Sequence, residues 1–166
     1  MQIRPIEPKD WDGTWQIMKP VIRAGQTYAY PRDMTEAAAR DTWVEKPVAT
    51  WVAADVDETI VGIYYIKPNQ AGPGDHVCNC GYIVSEHARG RGIASKLCTH
   101  SQSEALRMGF RAMQFNLVVA TNEGAVRLWK KLGFDLIGTL PEAFQHPERG
   151  YVGAHVMYKL LSPSGT

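Results

Sequence analysis

Apolar residues along this chain alternate between two spacings, and the change-overs mark out strands and helices. Residues 2–6 read as a short first strand, kept to an edge or a start by Pro5. Trp11, Trp15, Met18 and Ile22 then recur at i, i+4, i+7 and i+11, the stripe of an amphipathic helix that Pro20 should kink or split. Residues 24–33 carry Gly, Pro and no period, and read as a loop bearing Tyr28 and Tyr30. Thr35 is placed to cap a short helix from Glu36 to Trp43. Ala49–Ala54 and Ile60–Lys67 read as a hairpin about the turn Asp55–Glu58, and residues 68–74 as the next connection.

The second half repeats one arrangement. Strand Val77–Val84 leads through a glycine-rich turn to a helix over 92–108, closed by Gly109. Strand Ala112–Val119 leads to a helix that Thr121 can cap and Gly133 ends. A helical crossover makes the two strands parallel neighbours. Phe134–Leu140 and Tyr151–Leu160 read as a final antiparallel pair around a loop at 141–150, and residues 162–166 as a frayed tail. No repeat or linker interrupts residues 1–161, so one α/β (α+β) domain is expected.

The turn Arg89-Gly90-Arg91-Gly92-Ile93-Ala94 carries the chemistry. Its glycines let backbone N–H groups gather round one point, the helix start leaves N–H groups without partners, and the dipole there favours an anion. Arg89 and Arg91 add charge, so the turn reads as a site for phosphate or pyrophosphate; a plain glycine turn is the alternative. The spacing is neither GxxxxGK[ST] nor GxGxxG with an acid some 20 residues on, because Phe110, Arg111 and Ala112 stand where that acid belongs.

Composition narrows the partners. A formal charge of +1 provides no basic field, so neither a nucleic acid nor an anionic membrane is implied. Three cysteines leave at least one unpaired, which suits a reducing compartment. Cys78 and Cys80 form a C-x-C without a second Cys/His pair to complete a zinc set, so no metal site is expected and they read as half-buried strand residues. The longest apolar run, Ile60–Ile66, is too short to span a bilayer, and Met1–Pro5 lacks a signal-peptide core. A soluble, cytoplasmic protein is the expectation.

Arg89, Gly92 and Ala94, spaced Arg-x-x-Gly-x-Ala, resemble the pyrophosphate loop of the GNAT superfamily of acetyl-CoA-dependent N-acetyltransferases. Asn122, Ala125, Trp129 and Gly133-Phe134 resemble the second signature of that superfamily, in the right order and distance. The resemblance runs from the first strand to Lys159. It implies a mixed, largely antiparallel sheet of six to seven strands, a splayed central parallel pair, and about four flanking helices. It also implies acetyl-CoA as co-substrate, a small-molecule amine (an amino acid or analogue) as acceptor, and a homodimer; acetylation of a protein N-terminus or lysine, or a non-catalytic acyl-CoA-binding module, are the alternatives.

By that resemblance the backbone of Tyr82, Ile83 and Val84 pairs with the pantetheine arm. Arg89, Gly90, Arg91, Gly92, Ile93, Ala94 and Ser95 surround the pyrophosphate, and Asn122 and Trp129 contact the CoA from the other side. A backbone N–H near Gly81 to Ile83 steadies the developing oxyanion. Many members carry a Tyr proton donor where this chain has Trp129, whose indole is no usable acid at neutral pH. The general base stays open: His76, Glu86 and His87 flank the strand, and solvated loop positions account for them equally.

Asn79 and Asn116 lie where the parallel strands should part. They either satisfy a bulge or strand end, or hold the acceptor's carboxylate and amine. Local similarity around Cys78–Tyr82, Phe115-Asn116, Thr121-Asn122 and Leu128–Phe134 to the yeast acetyltransferases of azetidine-2-carboxylate and proline analogues favours the second reading. Tyr28 and Tyr30 either cap the sheet or wall the acceptor pocket.

Overall fold

A computed structural model describes residues 1–162. Seven strands form one sheet: β1 (Gln2–Pro5), β2 (Ala49–Ala54), β3 (Ile60–Pro68), β4 (Val77–Val84), β5 (Ala112–Val119), β6 (Asp135–His146) and β7 (Gly150–Leu160), in the order β1-β2-β3-β4-β5-β7-β6. Every neighbouring pair is antiparallel except β4–β5. That is the mixed sheet with a central parallel pair that the helical crossover demands. The helices are α1 (Trp11–Ala24), α2 (Glu36–Arg40), α3 (Ile93–Arg107) and α4 (Glu123–Lys131), with a wider turn at Asp41–Glu45 continuing α2. Among the described residues no helix is long and apolar enough to cross a membrane.

Alternation along the strands divides the core between the two faces of the sheet. Cys78 and Cys80 of β4 and Met113 and Phe115 of β5 turn towards Ile93, Leu97, Cys98 and Ala105 of α3 and Trp129 of α4. The opposite face packs Trp11, Met18 and Ile22 of α1 with Trp43, Ile63, Tyr65 and Ile83. Gly81 stands opposite Tyr65, and a β-carbon at Gly81 would lie 2.6 Å from the Tyr65 ring. Only glycine lets that ring lie flat on β4.

Four local expectations change. Pro20 lies inside α1, which runs on to Ala24, so of the two expected outcomes the split does not occur. The carbonyl of Gln16, deprived of an N–H by the proline, is on an exposed turn where water can serve it. Cys78 and Cys80 are fully rather than half buried. The first residue capping α4 is Asn122, not Thr121: its side chain accepts the Ala125 N–H at 3.4 Å. The loop at 141–150 is mostly strand. β6 continues to His146 through a bulge between Leu140 and Phe144, where Glu142 takes φ +50°, and only residues 147–149 turn. Of the tail expected at 162–166, residues 163–166 lie outside the described residues.

Candidate active site

The parallel ladder is short. β4 and β5 pair only at Val77 with Ala112 and at Cys78 with Met113, and then part. Where the ladder stops a side chain takes over: Asn79 Nδ2 donates to the Gln114 carbonyl at 3.0 Å, and its Oδ1 accepts from the Tyr65 hydroxyl at 3.2 Å. β5 bends away as well, with one extra residue between Phe115 and Val118 against β7, which puts Asn116 and Leu117 on a bulge. The opening between the strands belongs to a cavity of about 980 Å³.

One wall of the cleft is the free edge of β4. Ser85 donates to the Val61 carbonyl of β3, so in this antiparallel ladder Gly81 and Ile83 also direct their N–H and C=O groups at β3. Tyr82 and Val84 therefore present theirs to the gap. This corrects the expectation for Ile83, whose backbone faces the wrong way to meet a ligand in the cleft and whose side chain is buried with α1. It also narrows the candidate oxyanion donor from three residues to the N–H of Tyr82.

At the rim of this wall α3 begins on Gly92, which takes φ +71° and offers no side-chain cap. Gly90, at φ +78°, is left-handed too. The first N–H groups of α3 thus open outwards without a competing side chain, which fits a bound anion. Arg89, Gly90 and Ala94 line the cavity. Arg89 makes one long contact, 3.5 Å, to Glu86 and is otherwise exposed. Arg91 departs from expectation: both its terminal nitrogens bond Asp55 at 2.8 Å, which turns it to the outer side of the loop. Ile93 is buried under α3, so only its backbone can take part.

The other wall is β5 with α4, and its polar groups are largely spent. Asn122 caps its own helix. Asn116 Nδ2 donates to Asn69 at 2.7 Å, while its Oδ1 accepts from Gln114 at 2.9 Å. Trp129 packs its ring 5.1 Å from Phe115 and 5.2 Å from Tyr82, and lines the cavity as an aromatic surface.

The far end is roofed by aromatics on the α1 face. Tyr28 and Tyr30 stack at 5.3 Å, and Trp43 meets Tyr28 and Tyr65 edge-on. The Tyr28 hydroxyl donates to the Tyr82 carbonyl and accepts the Tyr82 N–H, each at 2.8 Å. Burial pushes the Tyr28, Tyr30 and Tyr65 hydroxyls up, so they stay neutral hydrogen-bonding groups. Asn79 and Asn116 open on this same chamber.

Sequence reasoning did not single out three further lining residues, His146, Glu148 and Arg149, at the tip of the β6–β7 hairpin. The Glu148 N–H donates to His146 Nδ1 at 3.2 Å, which leaves the ring proton on Nε2. Their only signal in the sequence is polar residues beside a Pro and a Gly; nothing in their spacing gives their distance from β4. Glu86 and His87 instead border a second cavity outside the loop, of about 730 Å³. Cys80, the one thiol on the cleft, is buried and pushed well up by desolvation, so it stays protonated and is no nucleophile.

Fold and cleft together define an acetyltransferase of the kind the sequence resembles. The model of the acetyltransferase (GNAT) family matches residues 13–134. The N-acetyltransferase aca1 of Schizosaccharomyces pombe is 34% identical over 159 residues, covering 86% of this chain and 76% of that protein. The L-amino acid N-acetyltransferase AaaT of Escherichia coli is 26% identical over 160 residues, covering 95% and 96%. A solved GCN5-related N-acetyltransferase from Kribbella flavida superposes with a TM-score of 0.92 at 46% identity, over 96% of this chain and 97% of that one. The chain belongs to the GNAT acetyltransferase family.

Proposed function

We propose that this enzyme transfers the acetyl group of acetyl-CoA to the amine of a small molecule, an amino acid or amino-acid analogue, by direct attack in a ternary complex. The observation that carries the reading is the two-ended cleft. One end offers uncapped helix N–H groups and Arg89, which suit a pyrophosphate. The other is lined by Tyr28, Tyr30, Asn79 and the β6–β7 tip residues His146, Glu148 and Arg149, aromatic and polar groups that suit a small amine. An L-amino acid N-acetyltransferase among the relatives supports the acceptor class.

The cleft-facing edge groups of Val84 and of Tyr82, the latter answered by the Tyr28 hydroxyl until a ligand takes them, align the pantetheine arm as an added strand, with the Tyr82 N–H facing the thioester oxygen. The amine nitrogen attacks the thioester carbon, the C–S bond breaks, and the nitrogen's proton leaves to water or to a side chain of the chamber. Positioning the two substrates supplies most of the acceleration, up to about 7–11 kcal/mol in favourable systems. The protonated Cys80 thiol leaves no acyl-enzyme route through that residue.

A thiol-release screen tests this: acetyl-CoA with amino acids, cyclic imino acids and polyamines in turn. Release of free CoA with an amino acid or imino acid is expected, with N-acetylated product by mass. Turnover with polyamines alone, or binding of acetyl-CoA with no acceptor turned over, would overturn it.

A further inference from the structure

We infer that Tyr28 is a selectivity residue at the thioester, its hydroxyl holding the position that the thioester oxygen takes on β4. The inference rests on the proposed acetyl-CoA reaction. Of the backbone N–H groups from Gly81 to Ile83, only that of Tyr82 faces the cleft, because its two neighbours serve β3. That N–H is already engaged, by the Tyr28 hydroxyl at 2.8 Å, and the same oxygen donates back to the Tyr82 carbonyl at 2.8 Å. A single hydroxyl thus answers both groups of one residue on a strand edge that has no partner strand there. It does for Tyr82 what the start of β5 does further back on the same edge, where the Arg111 N–H donates to the His76 carbonyl at 2.8 Å.

The arrangement is built rather than incidental. Tyr28 arrives from a loop 54 residues away in sequence, and its ring is fixed by stacking on Tyr30 and by the edge of Trp43. Burial keeps the phenol neutral, so it retains both its donor and its acceptor role across the working pH range.

The consequence is an exchange. When acetyl-CoA enters, its thioester oxygen must take the Tyr82 N–H from Tyr28, so one hydrogen bond replaces another and the acetyl group adds little affinity. Once the acetyl group has gone, CoA has no oxygen to offer there and Tyr28 reclaims the N–H. The hydroxyl therefore lowers the affinity of the acetyl donor towards that of spent CoA and leaves the affinity of CoA itself unchanged. Without it, the Tyr82 N–H is free for the thioester oxygen alone.

Tyr28→Phe keeps the ring and removes the hydroxyl. Titration calorimetry of wild type and variant with acetyl-CoA and with CoA reads the effect. Wild type is expected to bind the two within about threefold of each other, and Tyr28→Phe to prefer acetyl-CoA by roughly a further five- to tenfold, the size of one neutral hydrogen bond. Amide hydrogen exchange at Tyr82 without ligand gives a second readout that does not depend on CoA: protection in wild type, lost in the variant. An unchanged acetyl-CoA to CoA ratio, or a Tyr82 amide exchanging alike in both, would overturn the inference. Wild type that binds neither ligand would instead overturn the acetyl-CoA reading of the cleft.

Discussion

The two walls of the cleft are built alike, each a strand leading into a helix, yet they treat their hydrogen-bonding groups in opposite ways. On the β4–α3 wall Gly92 starts the helix with no side-chain cap, and the strand edge is answered only by one hydroxyl from a distant loop. On the β5–α4 wall Asn122 caps the helix and Asn116 is tied to Asn69 and Gln114. The difference teaches where binding free energy can come from. A group already paired inside the protein gains little from a ligand, because one bond is exchanged for another; an unpaired one at a helix start gains the whole interaction. The first wall is thus the one that binds, and the second mainly gives the cleft its shape.

The sharpest way to break this contrast is to spend the open donors of α3. Gly92→Asp places a carboxylate among them, and calorimetry is expected to show acetyl-CoA affinity falling by about two decades or more, from like-charge repulsion added to a left-handed backbone strain. Gly92→Asn is the control, since Asn tolerates φ above zero and brings no charge; affinity within about tenfold of wild type is expected. Equal loss in both variants would mean that the glycine serves the turn and not an anion.

Next in size come the two asparagines. The structure separates them. Asn79 is buried where the strands part, bonded to Tyr65 and Gln114, whereas Asn116 is exposed on the β5 bulge. Asn79→Ala leaves two partners unanswered, and should cost about 1–3 kcal/mol of stability as well as one to two decades in kcat/KM for the amine. Asn116→Ala, whose amide is already held by Asn69 and Gln114, should lower amine kcat/KM only a few-fold with the melting temperature nearly unmoved. Acetyl-CoA affinity should hold in both. Normal amine kinetics in the folded fraction of each variant would make both residues scaffold.

How far the site could be read in the sequence follows from the same contrast. The α3 turn was legible because its chemistry is local: two glycines and a helix start lie within Arg89–Ala94. The parallel pair was legible from a helix joining two strands. The paired groups were not, because their partners are distant in sequence. Asn116 meets Asn69 at a separation of 47, and Tyr28 meets Tyr82 at 54. Arg91 looks like a phosphate ligand by position and is claimed by Asp55, 36 residues earlier. Residues 141–150 read as a loop, yet a bulge between Leu140 and Phe144 absorbs Pro141 and the β6–β7 hairpin carries His146 to the cavity.

That pairing of Arg91 supplies a smaller test. Arg89→Ala removes a cation that lines the cavity and makes only one long contact, so acetyl-CoA should bind several-fold less tightly, by about 1 kcal/mol. Arg91→Ala removes a cation already held by Asp55 and should weaken binding less. The salt dependence of the two dissociation constants, measured from low to high ionic strength, should flatten for Arg89→Ala only. The reverse order would show that Arg91 leaves Asp55 when the anion arrives.

The smallest effect is expected at Trp129, on the wall that gives shape. Family members with a tyrosine here have a proton donor; this chain has an indole, which offers an N–H but does not titrate near neutrality. Its ring contacts Tyr82, Phe115 and Phe134, so the side chain is held by packing. Trp129→Phe preserves an aromatic surface of slightly smaller area. A cavity-scale loss of about 1–2 kcal/mol in stability is expected, since the ring is only partly replaced. Turnover per folded enzyme should stay within about threefold of wild type, as a group that never protonates the thiolate cannot be missed by it. Thiol release measured beside thermal melting and acetyl-CoA titration separates these terms. A folded variant with normal acetyl-CoA affinity that loses nearly all turnover would place Trp129 at the reacting atoms, and the β5–α4 wall would then bind as well as shape.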